Sequence, residues 1–355
     1  MPRVVLPGLT NSPAVNPRDY AIVVGINDYL HDIPILAGCI NDARMFCDWL
    51  VEPTMGGLDP ANIRLFTSNN PADEQPFRDQ IVDFMDDWNI LAQTGTFNAR
   101  RLYLFFAGHG ITLPAPDDKQ GCALVMANAR WNLLRGLFGV TAAESMRQAN
   151  VFREVMLVMD CCAEVSGSPE LQYKHHWQHD GSLPPRAFIH IQAAQAKAST
   201  AETEMPNPLL PVGPGNPPVW QGVLTNAVLR GLTTAPADGT GIITAKALQT
   251  FLAGEPIGTA TIDVEPPPKP GEVPPPVMTF GIARGLPVDV AAAGPATGFQ
   301  VKEGIDFQVV VPPRALPARL SLAPGQYQFE GLDSTNFPIS KLPIAVRQGG
   351  ERVFV

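Results

Sequence analysis

The chain has 355 residues, 45% hydrophobic and only 17% charged, with a formal net charge of −9, too apolar and too sparsely charged for a disordered polypeptide. No stretch approaches the ~18 uninterrupted apolar residues of a membrane span, and the opening MPRVVLPGLTNSP, broken by Pro7, makes a poor signal peptide, so the expected location is the cytoplasm. Residues 277–355 carry a net charge of +1, which leaves −10 on residues 1–276 and argues against nucleic-acid binding there.

In chain order, Tyr20–Ile26 reads as a buried strand, 41–52 as a helix and 63–66 as a short strand. Residues 76–91 repeat apolar side chains at helical spacing, with Pro76 suited to the first turn. Arg101–Ala107 is a second strong strand, 122–126 a weaker one, 141–149 a helix, and 155–159 and 187–191 two more buried strands. Helices follow at 222–232 and 244–252. Continuous apolar strands alternating with helices predict an α/β fold with a mostly parallel sheet covered on both faces. From 299 onward the pattern alternates in period two without helices, with turns expected at Pro324–Gly325 and Gly349–Gly350, which predicts a small antiparallel β-sandwich.

Proline makes up about 10% of the chain, twice the usual ~5%. Six of the 37 lie in 206–218, read as a loop, and seven in 266–276, read as a linker. The expected organisation is an N-terminal extension (1–17), an α/β domain (18–264), a Pro-rich linker (265–276) and a β-sandwich (277–355). Five cysteines with no CxxC pair speak against a disulfide framework or a zinc site, so no metal site is assigned.

Two strands deliver reactive residues at their carboxyl ends: 101–107 runs into Gly108–His109–Gly110, and 155–159 into Asp160–Cys161–Cys162. In an open α/β sheet that edge is the ligand-binding crevice. A Cys beside an imidazole gains thiolate, and the same imidazole can protonate a leaving amine. Strand alternation puts Asp160 and Cys162 on one face and Cys161 on the other, so Cys162 is the better nucleophile and Cys161 reads as packing. Glycines flanking His109 would admit substrate backbone, and the N–H groups of Gly110 and Cys162 would stabilise an oxyanion.

The 53-residue His–Cys spacing suits a caspase arrangement. The segments YAIVVGINDY (20–29), AGCINDARMFCDWL (37–50), LFFAGHG (104–110) and LVMDCC (157–162) resemble caspase-like peptidases of metacaspase type, with echoes in 191–202 and 222–232. The resemblance implies a caspase–haemoglobinase fold, a His109–Cys162 dyad and cleavage of protein substrates after Arg or Lys, with Asp42 and Asp160 as pocket acids; carboxylates there suit a guanidinium. It implies self-processing points in the segment after the nucleophile, where Lys174 and Arg186 are candidates. It also implies a latent enzyme answering to an upstream activator in a signalling, cell-death or defence cascade. Calcium is a possible cofactor, with Asp117–Asp118 too little to assign a site. His175, His176 and His179 read as loop residues. The alternatives are a caspase-like scaffold whose β-sandwich recruits a partner, and a protease with another P1 preference.

Overall fold

The computed structural model describes residues 16–94, 97, 99–112, 122–130, 135–149, 151–161, 164–165, 187–193, 201–210, 213–235, 242–258, 260–264, 278–282, 286–291, 295–303, 308–322, 325–346 and 351–354. In chain order the elements are β1 (Asp19–Gly25), α1 (Cys39–Val51), β2 (Ile63–Thr67), α2 (Arg78–Gln93), β3 (Arg101–Gly108), β4 (Gly110–Thr112), β5 (Cys122–Val125), β6 (Gly136–Phe138), α3 (Gly139–Gln148), β7 (Glu154–Cys161), β8 (Glu164–Val165), β9 (Ala187–Gln192), β10 (Glu202–Met205), β11 (Val219–Gly222), α4 (Val223–Thr234), β12 (Ile242–Thr244), α5 (Ala245–Ala253) and β13 (Thr261–Val264). The remaining strands are β14 (Thr279–Ile282), β15 (Leu286–Ala291), β16 (Gly298–Glu303), β17 (Gln308–Ala315), β18 (Ala318–Leu322), β19 (Gly325–Leu332), β20 (Pro338–Val346) and β21 (Glu351–Phe354). Two compact units result: Met1–Leu229 with Leu252–Met278, and Arg230–Phe251 with Thr279–Val355.

The first unit is built on a six-stranded sheet of order β13-β9-β7-β3-β1-β2. Its strands run parallel except β13, which pairs antiparallel with β9. The strands β1, β3 and β7 read as unbroken apolar runs because both sheet faces are covered. One face carries Ile22, Val24, Leu104, Phe106, Leu157 and Met159 against α2 and α3. On the other, Phe46 stacks on Phe105 at 4.6 Å, and Trp49 meets Tyr103 edge-on. Each such side chain contributes about 1.5–3 kcal/mol by burial.

A second small sheet, β6-β5-β4-β8, follows from the β3 exit. Of its strands only β5 was expected, since segments of two or three residues show no periodicity. The helix at 76–91 starts later than expected, at Arg78: the Gln80 side chain accepts the Phe77 N–H at 3.0 Å and closes the helix start, so Pro76 lies outside it.

The second unit holds a three-stranded sheet (β18-β15-β21), a four-stranded sheet (β17-β16-β19-β20) and the pair β12–β14. Phe299, Val301, Phe329 and Leu332 are buried in it. The expectation of an antiparallel array needs one correction: β15 and β21 pair in parallel, because the C-terminal strand enters beside β15 in the same direction. The strands flanking the turn expected at Pro324–Gly325, β18 and β19, belong to different sheets and form no hairpin. Positions 349–350 lie outside the described residues. Among the described residues no helix is long and apolar enough to cross a membrane.

Candidate active site

Strands β3 and β7 are parallel neighbours whose last paired residues are Gly108 and Cys161. His109 and Cys162 are therefore the residues that follow one shared rung. Cys162 itself lies outside the described residues, as do Lys174, Arg186, Asp117, Asp118 and the histidines at 175, 176 and 179. Cys161 is fully buried on the α2–α3 face, its thiol donating to the Phe106 carbonyl at 3.4 Å. Asp160 points to the opposite face, toward α1 and α4, as the strand alternation requires.

His109 sits between β3 and β4 and is held at three points. Its N–H donates to the Tyr29 hydroxyl at 2.8 Å, and its carbonyl accepts from the Val125 N–H at 2.8 Å. Its ring Nε2 lies 2.8 Å from the Pro34 carbonyl. A carbonyl only accepts, so Nε2 carries the proton there and Nδ1 is left as the basic nitrogen of the neutral ring. The Tyr29 ring lies 5.2 Å from the imidazole, centroid to centroid. At the flanking Gly108 a Cβ would stand 2.9 Å from Leu124 Cδ1 and 3.0 Å from the Tyr29 hydroxyl. Gly110 opens β4, opposite Leu124 of β5.

Asp42, in the first turn of α1, and Asp160 are brought together at Gly222. The Gly222 N–H donates to both Asp42 oxygens, at 2.9 and 3.1 Å. Asp160 Oδ2 accepts the Thr225 N–H at 2.9 Å and its hydroxyl at 2.6 Å, at the start of α4. Both carboxylates are buried, at 1% and 5% exposure. A third acid joins them: Glu202 accepts the N–H groups of Ala37 and Gly38 at 3.0 and 2.9 Å, and the Cys39 thiol at 3.3 Å. Burial first, and then repulsion by Asp160, hold the Asp42 carboxyl well above the usual carboxylate range, with the Gly222 amide pulling the other way. Burial likewise raises Asp160 against the two Thr225 bonds, and Glu202 raises it further. Burial also pushes the Cys39 thiol well up, with the Glu202 charge second. Among the described residues no Lys or Arg pairs with these three carboxylates.

The structure thus joins Asp42 with Asp160 and mounts His109 at the same edge of the sheet. Residues that sequence reasoning missed are Tyr29, the Pro34 carbonyl, Glu202, Gly222 and Thr225. Tyr29, Glu202, Gly222 and Thr225 lie within segments that carry the resemblance, but nothing local marks their contacts. The Pro34 carbonyl leaves no mark in a sequence at all. Among the described residues no group of three or more His, Cys, Asp and Glu is arranged to hold a metal ion.

Residues 18–238 match the family model described as the caspase domain. The chain matches no curated protein. Among solved structures it is similar to protein GSU0716 from Geobacter sulfurreducens (13% identity, TM-score 0.43, 75% of this chain and 100% of that one). It is similar also to the Drosophila initiator caspase Dronc (10%, TM-score 0.36, 71% and 80%) and to caspase-1 from Spodoptera frugiperda (11%, TM-score 0.38, 73% and 92%).

Proposed function

The chain belongs to the caspase-domain peptidases, and from that premise we propose that it is a cysteine endopeptidase cleaving after Arg or Lys. The observation that carries the specificity is the meeting of the buried Asp42 and Asp160, with the half-buried Glu202 beside them, in a cluster that no Lys or Arg among the described residues pairs with. A guanidinium presents five donors in a planar fork, and buried carboxylates at several angles suit it.

In the proposed chemistry Nδ1 of His109 takes the thiol proton of Cys162. The thiolate attacks the scissile carbonyl carbon, and the N–H groups of Gly110 and Cys162 receive the developing oxyanion. The C–N bond then breaks, and the imidazolium returns its proton to the leaving amine. Water, deprotonated by the same imidazole, hydrolyses the thioester and frees the thiol. The Pro34 carbonyl stabilises the imidazolium by accepting Nε2–H throughout.

The test is hydrolysis of reporter peptides ending in Arg, Lys or Asp, with Cys162→Ala alongside. Cleavage of the Arg and Lys peptides, lost in the variant, is the expected result. Cleavage of the Asp peptide alone would sink the pocket assignment, and unchanged activity in the variant would sink the nucleophile. Failure of an arginyl electrophile to label Cys162 would favour the scaffold reading.

A further inference from the structure

The exit of β3 poses a backbone problem. β3 ends at Gly108 and β4 begins at Gly110, so the amide of His109 lies between two strands. An N–H near a protein interior needs an acceptor. Tyr29 supplies it, from a loop that is itself firmly tied. The Leu30 N–H donates to the Ala127 carbonyl at 3.0 Å, the Leu36 N–H to the Asn27 carbonyl at 3.0 Å, and the Asn27 and Asp28 N–H groups to Ser68 Oγ, each at 3.0 Å. The same loop presents the Pro34 carbonyl to Nε2. Tyr29 is 5% exposed, its hydroxyl is 2.8 Å from the His109 nitrogen, and its ring flanks the imidazole.

We propose that Tyr29 is a positioning residue for His109: its hydroxyl fixes the backbone from which the imidazole hangs, and its ring limits the imidazole plane. Tyr29 exchanges no proton with substrate. It acts only by keeping Nδ1 directed at the thiol, which rests on the reading of His109 as the base. Removal of the hydroxyl leaves an amide without its acceptor and lets the ring drift, and misplacements of this kind cost catalysis out of proportion to their size. A thiol paired with a well-placed imidazole alkylates at lower pH than an unpaired one.

The experiment follows the pH dependence of Cys162 alkylation by chloroacetamide, read by mass spectrometry on the full chain, for the wild type, Tyr29→Phe and His109→Ala. This readout needs neither peptide turnover nor a known substrate. The expected result is an inflection that moves up by several tenths of a pH unit in Tyr29→Phe and to that of an ordinary thiol in His109→Ala. On the Arg peptide, Tyr29→Phe should lower kcat about tenfold and leave KM within twofold. If Tyr29→Phe does not fold, as judged by its thermal melt, Tyr29→His replaces it: its ring is shorter than the phenol, falls short of the same amide and should move the inflection in the same direction. An unmoved inflection in Tyr29→Phe, or in its replacement, with a displaced one in His109→Ala overturns the proposal alone. An unmoved inflection in His109→Ala overturns the base assignment and the proposal with it.

Discussion

Asp42 and Asp160 reach the same point from different elements: a methyl group on Gly222 would collide with Asp160 Oδ2 and stand 3.1 Å from Asp42 Oδ2. Two buried carboxylates this close repel, and burial with that repulsion holds the pair's titration above that of isolated carboxylates. From α1 the cluster is faced by Asp42 and the Cys39 thiol, from β7 by Asp160, and from β10 by Glu202. A guanidinium entering it favours the ionised form and expels the proton. Affinity for an arginyl peptide amide should therefore rise with pH through the raised titration of the empty pair and then level off. Calorimetry of Cys162→Ala in buffers of different ionisation enthalpy should find net proton release on peptide binding within the window of that raised titration, and none for the citrulline analogue.

The same pair makes a stability prediction of opposite sign. Its raised titration in the folded chain means that unfolded carboxylates ionise first as pH rises. The protonated pair therefore contributes fully below the usual carboxylate range, and its contribution disappears as pH rises through the raised titration. The melting temperature of the empty protein should fall over that window. Asp160→Asn, which can still accept from Thr225, should flatten the fall.

Asp42→Asn and Glu202→Gln test the pocket from α1 and from β10. Removing one partner of a buried charge pair costs about 2 kcal/mol or more, so kcat/KM for Arg peptides should drop at least ~30-fold in Asp42→Asn. Cys162 alkylation should be unchanged, since the hydrogen bonds that fix His109 come from Tyr29, Pro34 and Val125. Equal losses on Arg and neutral peptides would count against a cation pocket.

The loop 206–218 joins β10, which bears Glu202, to β11, which ends in Gly222. Asn216, 6% exposed, braces it: its side-chain oxygen accepts the Asn207 N–H at 2.9 Å and its amide donates to the Asn207 carbonyl at 2.8 Å. The Gln221 amide donates to the Met205 carbonyl at 2.5 Å. Asn216→Ala should raise KM for Arg peptides severalfold with little change in kcat, as steady-state kinetics will show.

At the amino ends of β3 and β7, Arg101 is buried against Glu154, with Nε donating at 2.6 Å and Nη1 donating to the Tyr103 hydroxyl at 2.7 Å. Glu154→Ala strands a buried guanidinium and should cost about 3–5 kcal/mol in urea unfolding. The residual folded enzyme should keep normal KM, because the lesion lies at the opposite edge of the sheet from the site.

The sequence made β1, β3 and β7 legible because strands buried on both faces read as pure apolar runs. The exits of β3 and β7 made His109 and Cys162 legible for the same reason: the run stops and polar chemistry begins. Asp42 and Asp160 were reached through resemblance, since an acid in a helix's first turn is ordinary by itself. Glu202 stayed hidden because ETEM carries no apolar pattern, and its partners at Ala37 and Gly38 are distant in sequence. Tyr29 stayed hidden because an aromatic after a strand looks like packing; only the position of the His109 amide gives its hydroxyl a task. In the second unit, period-two patterning identified strands but not partners, so the parallel β15–β21 pair could not be read from it.

Cys161 and Cys162 are the same chemical group written twice in succession, and the β3–β7 register fixes the fate of the first. Position 161 is locked into the apolar face at the last rung, which withdraws that thiol from chemistry and leaves the proposed nucleophile to the residue that follows. A slip of one residue would turn Cys161 out of that face and Asp160 into the apolar layer. On the proposed mechanism the aliphatic residues of β7 are in that sense the proofreaders of which sulfur becomes the reagent.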